Sequence, residues 1–437
     1  MKLRIEPSIC VILCILPSIC SGQAQMTIDE CVNTAIAYNR SIQLSQQDAN
    51  IAVGRIKEVK GAGNTHLNVF GQGKDRSDVI NLPLAVGIDN GNLILSSFPY
   101  IPKAAASYGV SVSQVLDFNG MIRTGTNVAK IDAQTAGLNI SGTRNDVVLQ
   151  TKLAYYDVLR SEELLDVAKE AMKNAETRKH TAQALVDTGI ASKVDIIRAD
   201  ASISAAQQSI ITAQNAIQVT KSVVNRIIGV DVNTPFEVDK PNEDALNLAP
   251  YETYLNEALA KRPEAAIASK NISASKLRYK LAKNGMSPSF VFSAGGQVDA
   301  IHDIEQENFA YVGLSATFPL SDGGETSGRK EQAKAGIESA KIAEADTKAA
   351  ITLQVKTAYV RVQNAAEKLA TANKELEQAA ESLRLSRARY SEGMSSQVEL
   401  SDAELTFTQA QTNVVNARYE QLGSQAELER AIGKYAK

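Results

Sequence analysis

A heptad repeat of large and small side chains runs along residues 355–390. The large members recur every seven residues, and a small residue stands between each two of them. Such alternating steps of three and four residues are typical of a helix that packs against other helices along its whole length. The pattern predicts a long, tightly packed coiled-coil arm. Its large positions are Val355, Val362, Leu369, Leu376, Leu383 and Tyr390.

The arm occurs twice in the sequence. When the two copies are set side by side, Gly189 faces Gly393 and Gly120 faces Gly324, although Lys179 interrupts the apolar seam of the first copy. Gly189 and Gly393 each fit the left-handed position that ends a helix, and a second heptad segment follows each of them. Each half of the chain is therefore predicted to contain a long helix, a tight turn and a returning antiparallel helix.

The two turns also carry signals for the start of the returning helices. Ser192 with Asp195, and Ser396 with Glu399, have the spacing of a capping box. In that motif the serine and the later carboxylate satisfy free backbone N–H groups at the first turn of a helix. The sequence thus predicts two helical hairpins with defined tips.

Helix periodicity disappears near the front of each half. Four segments, residues 67–72, 106–115, 289–298 and 309–318, alternate Val, Phe or Tyr with small polar residues, which is a strand pattern. The segments between them, residues 74–103 and 299–308, contain the Gly, Pro, Asn and Asp typical of loops. Each half is predicted to contribute one β-hairpin, which makes four strands in all.

These patterns predict a division of the chain into four parts. Residues 1–24 are a signal peptide, and residues 231–250 are a linker between two structural repeats. The first repeat, residues 25–230, holds a helix, a β-hairpin at about 64–117 and a helical hairpin at about 121–228. The second repeat, residues 251–437, holds a helix, a β-hairpin at about 287–319 and a helical hairpin at about 325–432.

The start of the chain has the form of an export signal. Lys2 and Arg4 precede an apolar core, and Gly22-Gln23-Ala24 fits a small-x-small cleavage site. A lipid-modified Cys20 is an alternative, but Ile19 precedes it where a small residue is expected. Cys31 is the one cysteine that follows this segment, so no intramolecular disulfide is predicted.

Composition excludes several classes of function. A net charge of −3 and a pI near 5.9 give no excess of positive charge with which the chain could bind nucleic acid. The three histidines, His66, His180 and His302, are far apart and share no metal-ligand spacing with Cys31. No Ser/His/Asp arrangement or phosphate-binding loop is recognisable. We expect no enzymatic activity, no cofactor and no metal site.

The predicted strands raise a problem of closure. After the signal, no run approaches the roughly 20 apolar residues of a membrane-spanning helix, so a membrane would be crossed by strands. Strands of about ten residues have the required length, but an open edge cannot lie in lipid, because its backbone groups would be unpaired. About eight strands are the practical minimum for a closed barrel. Several copies of the chain would therefore be needed.

Duplicated strand-hairpin and helical-hairpin halves behind an export signal resemble the TolC family of outer membrane efflux proteins. The most similar stretch is residues 389–404, RYSEGMSSQVELSDAE, and its earlier copy lacks the Arg-aromatic pair. The resemblance implies an α+β membrane protein that forms a homotrimer. Four strands per chain would build a 12-stranded outer-membrane β-barrel, which continues into a long periplasmic α-helical coiled-coil barrel.

The resemblance also implies a function and partners. The trimer would be the exit duct of a tripartite efflux or type I secretion system. It would lie in outer-membrane lipid and receive substrates from an inner-membrane pump through a periplasmic adaptor. The sequence leaves open whether a drug, a metal or a protein is transported. The alternative is a periplasmic coiled-coil adaptor or structural protein without a channel, against which the strand pattern in both halves argues.

Carried over from the family, four residues would line the periplasmic entrance. Glu399 and Asp402 match carboxylates that ring the pore, and Tyr390 and Asp195 match a pair that holds the closed state. The local alternatives remain open, since Glu399 and Asp195 also fit helix caps and Tyr390 is the last large seam residue. The hairpin tips would contact the adaptor. Their residues are Gly189, Ser192, Gly393 and Ser396.

Overall fold

The computed structural model describes residues 25–75, 77–78, 80–89, 92–101, 104–240, 248–301 and 307–436. The predicted signal peptide with Cys20, part of the predicted linker and His302 lie outside these ranges. The chain forms two compact units. The helical unit contains the residues up to Gln43, Thr143–Lys261 and the residues from Leu353 onward. The sheet unit contains Leu44–Gly142 and Arg262–Thr352.

Eight helices and eight strands follow one another in the described parts of the chain. In order they are β1 (Gln25–Met26), α1 (Ile28–Tyr38), α2 (Arg40–Gly61), β2 (His66–Asp75), β3 (Ile80–Asp89), β4 (Asn92–Ile101), β5 (Ala104–Leu116), α3 (Met121–Asp187), α4 (Lys193–Ile228), β6 (Glu237–Val238), α5 (Tyr251–Lys261), α6 (Pro263–Lys283), β7 (Ser289–Ile301), β8 (Glu307–Thr317), α7 (Glu325–Ser391) and α8 (Gln397–Ala431).

The predicted long helices are present, and the heptad seam is their buried face. Helices α3 and α7 have 67 residues each, which corresponds to a length of about 100 Å. Val355 and Val362 are fully buried, and Tyr390 is 4% exposed. The small seam residues Ala365 and Ala372 are buried as well, so the seam is confirmed as a packing surface. Among the described helices, none combines the length and the apolar composition that would let it cross a membrane.

The helical unit is centred on a core that joins α1, α3 and α4. Cys31, Tyr155 and Val224 belong to it and are almost completely buried. The hydroxyl of Tyr155 lies 2.7 Å from the carbonyl oxygen of Asp239 and accepts a 2.9 Å hydrogen bond from the N–H of the same residue. The same hydroxyl lies 2.9 Å from the carbonyl oxygen of Met26, so Tyr155 holds β6 beside β1, a short parallel pair that the sequence did not predict.

The four predicted strand segments form one antiparallel sheet in the sheet unit. Its order is β2-β5-β7-β8, and each neighbouring pair is antiparallel. The strands are longer than predicted: β2 continues to Asp75, β5 begins at Ala104 and β7 reaches Ile301. The segments beside them that were interpreted as loops are therefore partly strand.

The prediction that residues 74–103 form a loop was wrong. Residues 74–103 hold a second hairpin, in which β3 pairs with β4, so the chain has more than the four strands expected. The physical reason lies in the alternation of Leu82, Leu84 and Val86 with Pro83 and Ala85, since a strand has a period of two residues. The Gly, Pro and Asn residues in this segment concealed that period.

Candidate functional site

The two hairpin tips have the backbone geometry that the sequence predicted. Gly189 has φ +78° and Gly393 has φ +72°, a left-handed conformation that side-chain-bearing residues rarely adopt. A β-carbon placed on Gly393 would lie 3.4 Å from a methyl carbon of Ile190. The second tip therefore adjoins the first within one chain.

The two helices that begin after the tips have different N-terminal caps. Ser192 and Asp195 form the full capping box, because the Ser192 hydroxyl accepts from a backbone N–H and the Asp195 carboxylate accepts from the N–H of Ser192. Ser396 accepts a 3.3 Å hydrogen bond from the N–H of Glu399. The return bond is not made, so the prediction of a second capping box was only half right. The carboxylate of Glu399 instead accepts a 2.9 Å hydrogen bond from Arg389.

The two carboxylates predicted to ring a pore have different surroundings. Glu399 and Asp402 are both exposed on α8, and their spacing of three residues places them on one face of the helix. The charge of Glu399 is balanced by Arg389 in an ion pair that is about half-exposed. The carboxylate of Asp402 makes no ion pair with a described residue. Asp402 is thus the member of this pair whose negative charge is left uncompensated.

Tyr390 and Asp195 come near each other without a hydrogen bond. Burial raises the pKa of Tyr390, the negative charge of Asp195 raises it further, and the positive charge of Arg178 lowers it. The Tyr390 hydroxyl is buried and finds no hydrogen-bond partner among the residues that the structure describes. The tips are joined through Gln397 instead, whose side-chain amide donates a 2.8 Å hydrogen bond to the backbone carbonyl of Asp195. No sequence signal identified Gln397 for this role.

A buried ion pair lies behind the tips, and sequence reasoning missed it. Arg178 of α3 and Glu404 of α8 are 2.5 Å apart, with side chains 3% and 10% exposed. The sequence drew attention to Lys179 as the charge in the seam, but Lys179 is half-exposed and pairs with Asp200. Burial raises the pKa of Glu404, and the positive charges of Arg178 and Arg387 lower it less than burial raises it.

Helices α7 and α8 are further joined by a ladder of exposed ion pairs. Every cation of this ladder lies on α7 and every anion lies on α8, so the charges fix one antiparallel register of the second hairpin. The ladder consists of Arg361–Glu427, Lys368–Glu420 and Arg389–Glu399, at 2.8, 2.7 and 2.9 Å.

In the sheet unit, the four-stranded sheet has one apolar face. The registers place Leu67 opposite Val112 and Val69 opposite Val110, and β7 and β8 continue both rows with small and apolar residues. Val69 is 80% exposed, so no described element covers this face at β2. Gln114 and Asn308 are polar exceptions toward the strand ends. The face consists mainly of Leu67, Val69, Tyr108, Val110, Val112, Phe292, Ala294, Val298, Ala310, Val312 and Leu314.

The opposite face of the same sheet is polar. Because side chains alternate along a strand, the residues between the apolar ones point the other way. They are mostly serine, asparagine, glutamine and charged residues, with three aromatic side chains, Phe70, Phe309 and Tyr311, among them. Only β2 and β8 have an unpaired edge within the described sheet. A sheet with an exposed apolar face and a polar face matches the alternation of membrane-spanning strands.

Aromatic rings gather where the strands of this sheet end. Phe118, which follows β5, packs edge-to-face on Phe290 with ring centres 5.3 Å apart. Phe318, which follows β8, packs on the same ring at 6.0 Å. Phe118 and Phe318 nevertheless remain largely exposed. Aromatic residues at strand ends are typical of the boundary between lipid and water.

The described residues show no cluster suited to a metal ion. No three His, Cys, Asp or Glu side chains lie close enough together there to hold one. Cys31 is completely buried, and burial raises the pKa of its thiol to about 12. A thiol with so high a pKa is a poor nucleophile at neutral pH.

Comparisons with known proteins agree with these features. The family model described as outer membrane efflux protein matches residues 102–230 and 254–434. The outer membrane efflux protein BepC of Brucella suis is 23% identical over 282 residues, which are 59% of this chain and 60% of that relative. The match thus spans less than two thirds of BepC.

Two solved structures show the same fold. The outer membrane protein VceC of Vibrio cholerae has a TM-score of 0.73 at 15% identity, over 93% of this chain and 96% of that chain. The open state of the MtrE outer membrane channel of Neisseria gonorrhoeae has a TM-score of 0.72 at 18% identity, over 93% and 88% of the two chains. Since the two segments matched by the family model cover most of its length, this chain belongs to the outer membrane efflux protein family.

Proposed function

We propose that the protein is the outer-membrane exit duct of a tripartite efflux or type I secretion system. In this proposal a homotrimer spans the outer membrane and extends into the periplasm. It passes substrates from an inner-membrane pump, through a periplasmic adaptor, to the outside. The observation that carries the proposal is the four-stranded sheet, which is apolar and exposed on one face and polar on the other.

The free edges of this sheet support a trimer. The edge strands β2 and β8 present unpaired backbone groups, which cannot remain unpaired in lipid. Four strands are too few to close a barrel, for which about eight are needed. Three copies supply twelve strands, with β8 of one copy beside β2 of the next. The apolar face then meets lipid and the polar face lines the bore.

In this function the chain would consist of two structural repeats. Residues 25–230 and 251–437 would each supply two strands of the barrel and one helical hairpin, joined by a linker at residues 231–250. The hairpin β3–β4 would be an insertion in the first repeat. The second repeat has no counterpart of this hairpin in its described residues, where β7 ends at Ile301 and β8 begins at Glu307.

The hairpin tips would form the periplasmic entrance and the adaptor contact. Gly189, Ser192, Gly393 and Ser396 shape the tips, and apolar side chains such as Ile190 and Met394 are exposed beside them. Asp402, and Glu399 together with Arg389, would set the charge of the entrance, while Tyr390 and Asp195 would lie at its narrowest part in the closed state. The alternative of an adaptor without a channel gives no role to the exposed apolar face of the sheet.

Two neighbouring residues of β2 test the proposal. A lysine at Val69 would put a charge on the face proposed to meet lipid, which costs about 2–4 kcal/mol near the middle of a bilayer. A lysine at Asn68 would point to the polar face. We expect Val69→Lys to reduce strongly the heat-modifiable trimer in outer-membrane fractions, and Asn68→Lys to preserve it. Equal effects of the two substitutions, or a soluble monomeric wild type, would overturn the proposal.

A further inference from the structure

The helices that meet the sheet carry an excess of positive charge at their sheet ends. In α2, α3, α6 and α7, the twelve helical residues nearest the sheet contain twelve Lys and Arg but four Asp and Glu, whereas the whole chain holds 46 and 49. The segment of α6 has four cations and no carboxylate. Positive charge is therefore concentrated at one level of the sheet unit. The segments are residues 50–61, 121–132, 272–283 and 325–336.

Two carboxylates in the loops at this level are engaged by backbone groups. Asp117 accepts hydrogen bonds from the N–H groups of Ile122 and Arg123 at the start of α3. Asp322 accepts one from the N–H of Thr326 at the start of α7. Neither carboxylate forms an ion pair with a cation of the described residues, so the excess of positive side chains remains.

A groove between α3, α6 and α7 lies at the same level. It combines two arginines and two further hydrogen-bonding side chains with apolar surface from α3 and α6. All of its residues belong to the sheet unit of one chain. We call it the boundary groove. Its polar residues are Ser275, Arg278, Arg329 and Gln332, and its apolar residues include Met121 and Leu281.

The two arginines of the boundary groove can accept a further partner. Within the described residues, Arg278 donates one hydrogen bond of 3.2 Å to Asp132, and Arg329 donates one to Glu325 of its own helix. These side chains are between 43% and 60% exposed, and ion pairs of this kind contribute little to stability. Since a guanidinium carries five N–H donors, each arginine retains donors for another anion.

The boundary groove adjoins the end of the sheet that the proposed function places at the periplasmic surface of the membrane. The exposed rings of Phe118 and Phe318 mark this end. Met121 follows Phe118 by three residues, so their α-carbons are at most about 11 Å apart. Arg278 and Arg329 lie about 8 and 6 Å along their helices from the helix ends. Long arginine side chains at such positions can extend to the lipid headgroups.

We propose that the boundary groove binds the phosphate group of an anionic phospholipid from the periplasmic leaflet of the outer membrane. Arg278 and Arg329 hold the phosphate oxygens through paired N–H donors, a geometry that a guanidinium provides and an ammonium does not. The surrounding lysines favour a lipid of net negative charge, because basic surfaces attract anionic leaflets. This inference rests on the proposed function, since it takes the sheet as the membrane-spanning part.

A phospholipid fits the boundary groove better than a free anion does. Inorganic phosphate would interact only with the polar side chains, whose charges are screened by water and salt at this exposure. A phospholipid also covers Met121 and Leu281 with its glycerol and the first methylenes of its acyl chains. Burial of this apolar surface adds to the binding.

Lipid binding to the detergent-purified full-length protein tests the proposal. Native mass spectrometry counts the dioleoyl phosphatidylglycerol or dioleoyl phosphatidylcholine bound per chain during a titration. We expect one phosphatidylglycerol per chain to bind about tenfold more tightly than phosphatidylcholine, and Arg278→Gln/Arg329→Gln to lose this preference, because charge-assisted hydrogen bonds are lost. Phosphatidylglycerol binding by this variant at the wild-type level would overturn the proposal.

Two further variants separate a defined site from general attraction. Arg361→Gln/Arg384→Gln is the matched control, because it removes two exposed arginines from α7 that each pair with one glutamate, in the helical unit. This control should bind phosphatidylglycerol like the wild type. Arg278→Lys/Arg329→Lys keeps both charges without the paired donors and should bind roughly threefold more weakly. If the lysine variant binds as tightly as the wild type, general attraction explains the binding and the proposal is wrong.

Inorganic phosphate distinguishes a lipid site from a site for a free anion. A large molar excess of phosphate should leave phosphatidylglycerol bound, and displacement would overturn the proposal. Equal binding of the two lipids by a heat-modifiable trimer from outer-membrane fractions would also overturn it, while the proposed function would stand. A soluble monomeric protein would instead contradict the proposed function, so the two failures are distinguishable.

Discussion

Gln397 of the second hairpin donates a hydrogen bond to the backbone carbonyl oxygen of Asp195 in the first, at 2.8 Å. Gln397 is 5% exposed, although it lies in the first turn of α8 beside an exposed tip. The bond connects the two tips at the residue that also caps α4 through its carboxylate. The conformation of the first tip is thus coupled to that of the second within one chain.

Replacing Gln397 by leucine should loosen the first tip. The variant loses a hydrogen bond worth about 1 kcal/mol. We expect roughly fivefold faster amide hydrogen exchange in the backbone around Asp195, in proportion to this free energy. Gln409→Leu is the matched control, because Gln409 is exposed and, within the described residues, its side chain bonds only to Asn413 of its own helix. Unchanged exchange around Asp195 would show that Gln397 does not hold the tips together.

Removing the charge of Asp402 should alter ion selectivity more than removing that of Glu399. Arg389 balances Glu399, whereas the Asp402 carboxylate makes no ion pair with a described residue. We expect Asp402→Asn to lower the cation preference, Glu399→Gln to change it less, and Arg389→Gln to increase it. Reversal potentials in a salt gradient across planar bilayers measure these differences, which should be largest at low ionic strength. Identical reversal potentials in all three variants would show that these side chains do not line the pore.

The cluster around Glu429 should make stability depend on pH. Burial alone raises the pKa of Glu429, but hydrogen bonds from Lys152 and Lys434 and the charges of both lysines outweigh it, so the pKa lies below its ordinary value of 4.5. A carboxylate with a lowered pKa stabilises the fold above its ordinary pKa, and this contribution is lost as the pH falls through the lowered value.

We therefore expect Glu429→Gln to destabilise the protein by about 2 kcal/mol at neutral pH, because charge-assisted hydrogen bonds are lost. The difference in melting temperature from wild type should shrink as the pH falls well below 4.5. Glu420→Gln serves as the control, since its pair with Lys368 is exposed and contributes little. A difference in melting temperature that persists at low pH would show that the ionised carboxylate of Glu429 is not the source of the stabilisation.

Gly229, which ends α4, should not tolerate a side chain. Its φ is +81°, and a β-carbon there would lie 2.6 Å from the backbone oxygen of Tyr38. We expect Gly229→Ala to lower stability by about 1–3 kcal/mol from backbone strain, with the steric clash in addition. In α7, Gly336 has open space around it, so Gly336→Ala should stabilise the helix by up to about 1 kcal/mol. Denaturant unfolding measures the change in the free energy of unfolding for both variants. Equal changes would exclude a steric cause at Gly229.

Features with a short repeat were predictable from the sequence. The heptad spacing identified the buried seam from Val355 to Tyr390, and glycines at corresponding positions marked the two tips. Each of these signals is local, since it depends on residues within a few turns of helix or on one turn of the backbone. The hairpin β3–β4 was missed even though Leu82, Leu84 and Val86 alternate, because its Gly, Pro and Asn residues resemble those of a loop.

Which charged side chains pair with each other was decided only by the tertiary structure. Glu399 had the spacing of a helix cap, yet its carboxylate pairs with Arg389, which α7 brings within reach. Of two neighbouring cations on α3, Arg178 is the buried one and the seam residue Lys179 the exposed one, because the packing of α8 against α3 selects which side chain faces Glu404. A heptad pattern determines that a helix has a buried face. Which charges meet across that face depends on the register between two helices, and the register is set by all their contacts together.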